Sequence, residues 1–239
     1  MIKVIQPFNK QQPLLIYLHL PKTGGTTLKK IIKNNYRKSK TVDVYVDREK
    51  LENTLTHLSN KKISCIQGHM PFGVHDYFKR PCSYITMMRE PIDRILSEYY
   101  FIRNTPHHNL HSKVTEISLE EYQNEPNNFN LQTHLILGNK FGKELLKEDL
   151  EKAKSNLAHY FAVVGITERF NESIFLMKQK LGWNNLNYKK ANITKNRLYK
   201  EEIPKKIIDQ IAKNNEVDIE LYHFAKELLE KKINLLNIK

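Results

Sequence analysis

The residues whose types and order could do chemistry stand near the start of the chain, in His19-Leu20-Pro21-Lys22-Thr23-Gly24-Gly25-Thr26-Thr27. Adjacent glycines let backbone approach a ligand closely, because no Cβ intervenes. Lys22 brings a positive charge, and Thr23, Thr26 and Thr27 bring hydroxyls. The flanks say how these groups are held. Leu14-Leu15-Ile16-Tyr17-Leu18 reads as a buried strand. Leu28, Ile31 and Ile32 then fall on one face of a helix whose other face carries Lys29, Lys30 and Lys33. Strand, glycine turn and helix aim free N–H groups and the positive helix end at one point. Such a point takes a phosphate or another tetrahedral anion.

A Walker A loop has four residues between its glycines and Lys-Ser/Thr after the second. Here Lys22 leads, the glycines are adjacent, and no Gly-Lys-Ser/Thr step supplies a magnesium ligand. The loop suits a phosphate neutralised by a lysine and N–H dipoles alone. A nucleotide kinase or NTPase of similar fold, and a non-catalytic polyanion-binding protein, are the alternatives.

Two further stretches carry polar groups to the ends of expected strands. In Arg89-Glu90-Pro91-Ile92-Asp93-Arg94-Ile95-Leu96-Ser97-Glu98-Tyr99-Tyr100-Phe101, Pro91 suits a first helical turn. Ser97 falls opposite the Ile92/Leu96 stripe, together with Glu90 and Arg94; Arg94 could equally be a surface salt-bridge partner. In Gln67-Gly68-His69-Met70, His69 directly follows a strand and titrates near neutrality, which fits a general base. His19 is expected to shape the loop. His107, His108 and His111 lie in a polar stretch without paired carboxylates or cysteines, so residues 104–117 read as a loop and no metal is expected.

These motifs resemble those of the carbohydrate-type sulfotransferases, the broad family that includes the heparan sulfate 2-O- and 6-O-sulfotransferases. The resemblance rests on Lys22 to Thr27, on Arg89 to Phe101, and on Gly165-Ile166-Thr167-Glu168-Arg169-Phe170-Asn171-Glu172-Ser173, over roughly residues 14–200. It implies a P-loop-like sulfotransferase fold: three layers, with a mainly parallel sheet between helices. It also implies 3′-phosphoadenosine 5′-phosphosulfate as donor, with the 5′-phosphosulfate on Lys22, Thr23, Gly24, Gly25, Thr26 and Thr27. The 3′-phosphate is then expected on Arg89 and Ser97, and catalysis on Lys22 and His69. The acceptor would be a carbohydrate hydroxyl, the segment 104–117 would touch it, and Asn192, Thr194, Lys195 and Arg197 would approach the donor again.

Composition bounds the rest. The 239 residues suit a single α/β domain over 1–239. Thirty-nine basic against 26 acidic residues give a net charge of +13, a field that attracts polyanions. An acidic polysaccharide is the expected partner, and nucleic acid is not. Cys65 and Cys82 are too few for a disulfide framework and read as buried thiols. Met1 to Pro13 lacks the apolar stretch of a signal peptide, and no run is long enough to span a membrane, so the expectation is cytoplasmic. Strands are expected near 14–18, 41–46, 63–67, 83–88 and 160–165. They alternate with helices, including 127–137, 144–159, 203–214 and 216–236. The Ser118-Leu119-Glu120-Glu121 capping box opens another.

Overall fold

Leu14–Leu18 (β1) is buried at every position, as a strand covered on both faces must be, and it holds the centre of the sheet. The structure is a computed structural model that describes residues 13–139, 141–188 and 197–237. Thr41–Val44 (β2), Cys65–Gly68 (β3), Cys82–Met88 (β4) and Phe161–Ile166 (β5) complete five strands in the order β2-β3-β1-β4-β5. Every pairing is parallel; Ile16 of β1 lies between Ile66 and Tyr84. The helices that flank this sheet begin with Gly25–Asn35 (α1), Arg48–Ser59 (α2), Pro91–Arg103 (α3), His111–Glu116 (α4) and Leu119–Gln123 (α5). Leu131–Leu137 (α6), Lys147–Tyr160 (α7), Phe170–Leu181 (α8), Lys205–Asn214 (α9) and Glu216–Asn237 (α10) follow.

The α1 stripe behaves as its spacing requires: Leu28, Ile31 and Ile32 are all fully buried. At the β2–β3 pairing, Gly68 lies so close to Val44 that a Cβ there would stand 1.7 Å from the Val44 carbonyl oxygen. The capping box is made, with Ser118 Oγ accepting from Glu121 N and Glu121 accepting from Ser118 N. Cys65 is buried and Cys82 half-buried, both as free thiols.

Three expectations need correction. The segment 104–117 is not all loop: it contains α4, whose Val114 joins a second core with Ile92, Ile95, Leu96, Tyr99 and Ile102 of α3. That second core, completed by Leu119, Tyr122, Ile203 and Ile211, is built on the Ile92/Leu96 stripe of α3, as its spacing requires. Arg94, opposite that stripe, is not a surface residue either: it is fully buried and pairs with Glu98 one turn on. α2 was not anticipated, although Leu51, Leu55 and Leu58 carry a helical spacing among charged neighbours. Among the described residues, no helix is long and apolar enough to cross a membrane.

Candidate active site

Ligands gather beyond the carboxyl ends of strands in open α/β sheets, and four strand ends deliver candidate residues there. Lys22 follows β1, His69 follows β3, Arg89 follows β4 and Thr167 follows β5. They border one cleft of about 540 Å³, whose walls also include Gly24, Gly25, Thr26, Thr27 and Ser97. Arg89 and Lys22 are directly linked, since Arg89 Nη1 donates to the Lys22 carbonyl at 3.1 Å.

The loop is shaped by bonds to its carbonyls. Thr23 Oγ1 donates to the Leu20 oxygen and Thr167 Oγ1 to the Thr23 oxygen. Within the stretch from Lys22 to Thr27, Thr23 does not line the cleft: it is wholly buried, and its hydroxyl closes the turn instead. Lys22 takes a φ of 65° and Gly24 one of 82°. A left-handed lysine is strained backbone of the kind found where a site dictates geometry. Gly25 is required for a different reason. A Cβ there would stand 1.6 Å from His19 Nε2, so the His19 ring occupies the space a side chain would need.

The Lys22 ammonium stands 3.5 Å from the centre of the Phe101 ring, a cation–π contact. Burial lowers its pKa to about 8; nearby Arg89 adds to the shift, and Glu98 opposes it. Glu98 is the one carboxylate among the residues named along this cleft. Ser97 is nearly buried on α3, one turn before Phe101. Arg89 is held deep enough that its Nε is buried with no hydrogen-bond partner. A buried, unpaired guanidinium nitrogen is costly, and Arg89 carries that cost at the wall of the cleft.

At the other end of the cleft, His69 Nδ1 lies 2.8 Å from the His19 carbonyl oxygen. A carbonyl only accepts, so Nδ1 carries the proton and Nε2 is left as the basic nitrogen. The His19 ring stacks on His69 at 4.5 Å and Tyr45 meets His69 edge-on at 4.9 Å. Loss of solvation holds the His69 pKa below the ordinary imidazole value, and Lys29 adds to this. The His19 carbonyl and Glu98 push the other way. His69 is therefore neutral at pH 7. His19 is lowered further, by burial first and then by His69, Lys29 and Lys22, and its Nδ1 lies 2.9 Å from the Tyr45 hydroxyl. It shapes the site, as expected from its place beside the loop.

Of the three clustered histidines only His108 borders the cleft; His111 Nδ1 bonds the Ile102 carbonyl oxygen instead. Among the described residues, no group of three or more His, Cys, Asp or Glu is placed to hold a metal ion. Asn192, Thr194 and Lys195 lie outside the described residues. Arg197 is described and pairs with Asp93 at 3.1 Å, at the start of α3. Residue-level reading missed Glu98, Phe101, Thr167, Phe170 and Tyr45. Phe101 had a signal, standing four residues after Ser97 on one helix face, and Thr167 and Phe170 lie inside a quoted motif. Tyr45 had none.

The sequence pattern of the sulfotransferase family matches residues 8–225. The chain is similar to a heparin sulfate O-sulfotransferase of Drosophila melanogaster, 25% identical over 250 residues, covering 89% of this chain and 70% of that protein. It is also similar to the Homo sapiens heparan-sulfate 6-O-sulfotransferase 2, 24% identical over 289 residues, covering 96% of this chain and 47% of that protein. It thus spans about half the length of the latter relative. A solved structure, that of mouse sulfotransferase SULT7A1 complexed with PAP, aligns with a TM-score of 0.41 at 14% identity, covering 86% of this chain and 64% of that one. With 218 of its residues matched by one family pattern, the chain belongs to the sulfotransferase family.

Proposed function

We propose that the chain transfers the sulfuryl group of 3′-phosphoadenosine 5′-phosphosulfate to a hydroxyl of a carbohydrate. The observation that carries this reading is the convergence of Lys22, Arg89, Ser97 and His69 on one cleft. Two anion sites face that cleft. One is the loop from Lys22 to Thr27; the other is Arg89, with its unpaired buried Nε, together with Ser97. A nucleoside with a phosphate at each end suits two such sites, the 5′ group on the loop and the 3′ group on the Arg89 fork. When bound, the donor supplies an electrophilic sulfur and a phosphate leaving group.

The chain's own residues then have distinct tasks. Lys22 neutralises charge that grows on the departing phosphate, a contact stronger in the transition state than before it. Removing such a donor costs ~10²–10³ in rate. His69 takes the acceptor hydroxyl proton on Nε2, while the His19 carbonyl fixes the tautomer. The acceptor approaches over Tyr45, which is exposed beside His69. Lys29 Nζ stands 4.2 Å from the Tyr45 ring centre, and Lys29 and Lys33 share a single oxygen of Asp43. Two ammonium groups on one carboxylate leave surplus positive charge at the cleft rim. That surplus, the net charge of +13 and the heparan sulfate enzymes among the relatives support an acidic polysaccharide as acceptor.

Titration calorimetry tests the donor. Adenosine 3′,5′-bisphosphate is expected to bind at least ~10-fold tighter than ADP, the worth of one charge-assisted anion contact. Equal affinities, or magnesium-dependent turnover of ATP, would overturn the reading.

A further inference from the structure

The step from Arg89 to Glu90 leaves the end of β4 and must point one guanidinium at one phosphate, yet it belongs to no strand or helix. Its backbone is held by side chains instead. Arg89 N donates to Gln132 Oε1 at 3.0 Å, and Gln132 Nε2 donates back to the Arg89 carbonyl at 2.9 Å. One carboxamide thus grips both main-chain polar groups of the residue, as a neighbouring strand would. Glu90 N donates to Glu168 Oε1 at 3.1 Å.

Both gripping side chains are anchored to the same distant helix. Asp218 of α10 accepts from Gln132 N at 3.1 Å, and from Thr133 N and Thr133 Oγ1 at 2.7 and 2.6 Å. The α6 start is therefore capped from another element, with Asp218, Gln132 and Thr133 all fully buried. One turn along α10, the Tyr222 hydroxyl donates to Glu168 Oε2 at 3.0 Å. Positions 218 and 222 share a helix face by spacing, and each ends on one residue of the Arg89-Glu90 pair. A buried carboxylate that spends its oxygens on the start of a seven-residue helix makes sense if that helix must be held in register.

We infer that Gln132, Asp218 and Tyr222 are positioning residues for the 3′-phosphate: through the Arg89-Glu90 backbone, α10 sets where the Arg89 guanidinium points. None of the three is among the residues lining the cleft, so none is assigned a contact with the donor. The inference rests on the donor proposed above and makes a claim that general destabilisation does not. Misaiming Arg89 weakens recognition of the 3′-phosphate and spares the rest of the nucleotide.

The test compares adenosine 3′,5′-bisphosphate with adenosine 5′-phosphate by calorimetry, in the full chain and in two variants. Gln132→Met keeps the volume and loses both bonds to Arg89; Tyr222→Phe loses one hydroxyl. The preference for the bisphosphate is expected to fall roughly tenfold in the first and about threefold in the second, at the scale of one or two net hydrogen bonds. Affinity for the 5′-phosphate should stay within about twofold in both. If Gln132→Met does not fold, Tyr222→Phe carries the test, since it leaves the packed ring in place. A wild-type preference that survives in the folded variants, with only thermal stability lowered, overturns this inference and leaves the donor reading standing. A wild-type protein with no preference overturns the donor reading and this inference together.

Discussion

At the scale of single residues, the site turns on two nitrogens with opposite requirements. Lys22 must be charged to meet a phosphate, and in the free protein its pKa is about 8. Its charged form is complete below that value and is lost as pH rises through it. His69 must be neutral to take a proton, and its pKa is held below the ordinary imidazole value. Its working form is complete above its own pKa and is lost as pH falls through it. The kcat/KM for the donor should therefore show a plateau near neutrality, an alkaline limb centred near 8 and an acid limb below the usual imidazole range. Lys22→Met should abolish the alkaline limb and lower the plateau by ~10²–10³. His69→Ala should abolish the acid limb and lower kcat by ~10²–10⁴, with bisphosphate affinity unchanged. An affinity loss in His69→Ala would make His69 structural. These residues were legible because each sits in a contiguous stretch with its own chemical logic: a lysine before two glycines, an arginine before a helix-starting proline, a histidine after a strand. Tyr45, Lys29 and Gln132 were not, because their contributions arise only when separate segments meet.

At the scale of elements, the strand expectations came out nearly as drawn because apolar runs bounded by polar residues leave little choice of period. Boundaries moved by a few residues, as at β2, where the alternation continues to Val46 but the pairing with β3 ends at Val44. The burial of Arg94 marks the limit of such reading. Periodicity rightly marks the Ile92, Ile95, Leu96 and Tyr99 stripe that meets α4, α5 and α9; it cannot report that the opposite side, with Arg94, is covered as well. Gly68 makes the element scale testable. A methyl there would stand 1.7 Å from the Val44 oxygen, so Gly68→Ala must push β2 away. Overpacking of this kind costs ~1–3 kcal/mol, to be read by denaturant unfolding. Because β2 leads to Tyr45, while the donor sites follow β1 and β4, acceptor KM should rise more than bisphosphate affinity falls. Equal losses on both sides would show that β2 does not separate the two ends of the cleft.

At the scale of the whole molecule, charge and connectivity matter most. Lys30, Lys33, Arg37, Lys38 and Lys40 form an exposed basic run on and just after α1, leading away from the loop that helix starts. Exposed charges act over a Debye length of about 10 Å at 0.1 M salt. Raising ionic strength from ~0.05 to ~0.5 M should therefore cut kcat/KM severalfold for an acidic polymer and leave a neutral oligosaccharide nearly unaffected. An acidic polymer whose kinetics ignore salt would mean that this surface does not take part. Connectivity sets a further condition. The groups proposed to touch the nucleotide come from residues 22 to 97, whereas the anchors of the Arg89-Glu90 step sit at 132, 168, 218 and 222. During synthesis the nucleotide pocket has all its fingers long before it has a wrist. A nascent chain thus carries the glycine loop early, but the bond that Thr167 gives that loop, and with it a firm hold on adenosine bisphosphate, waits until β5 and α10 have docked.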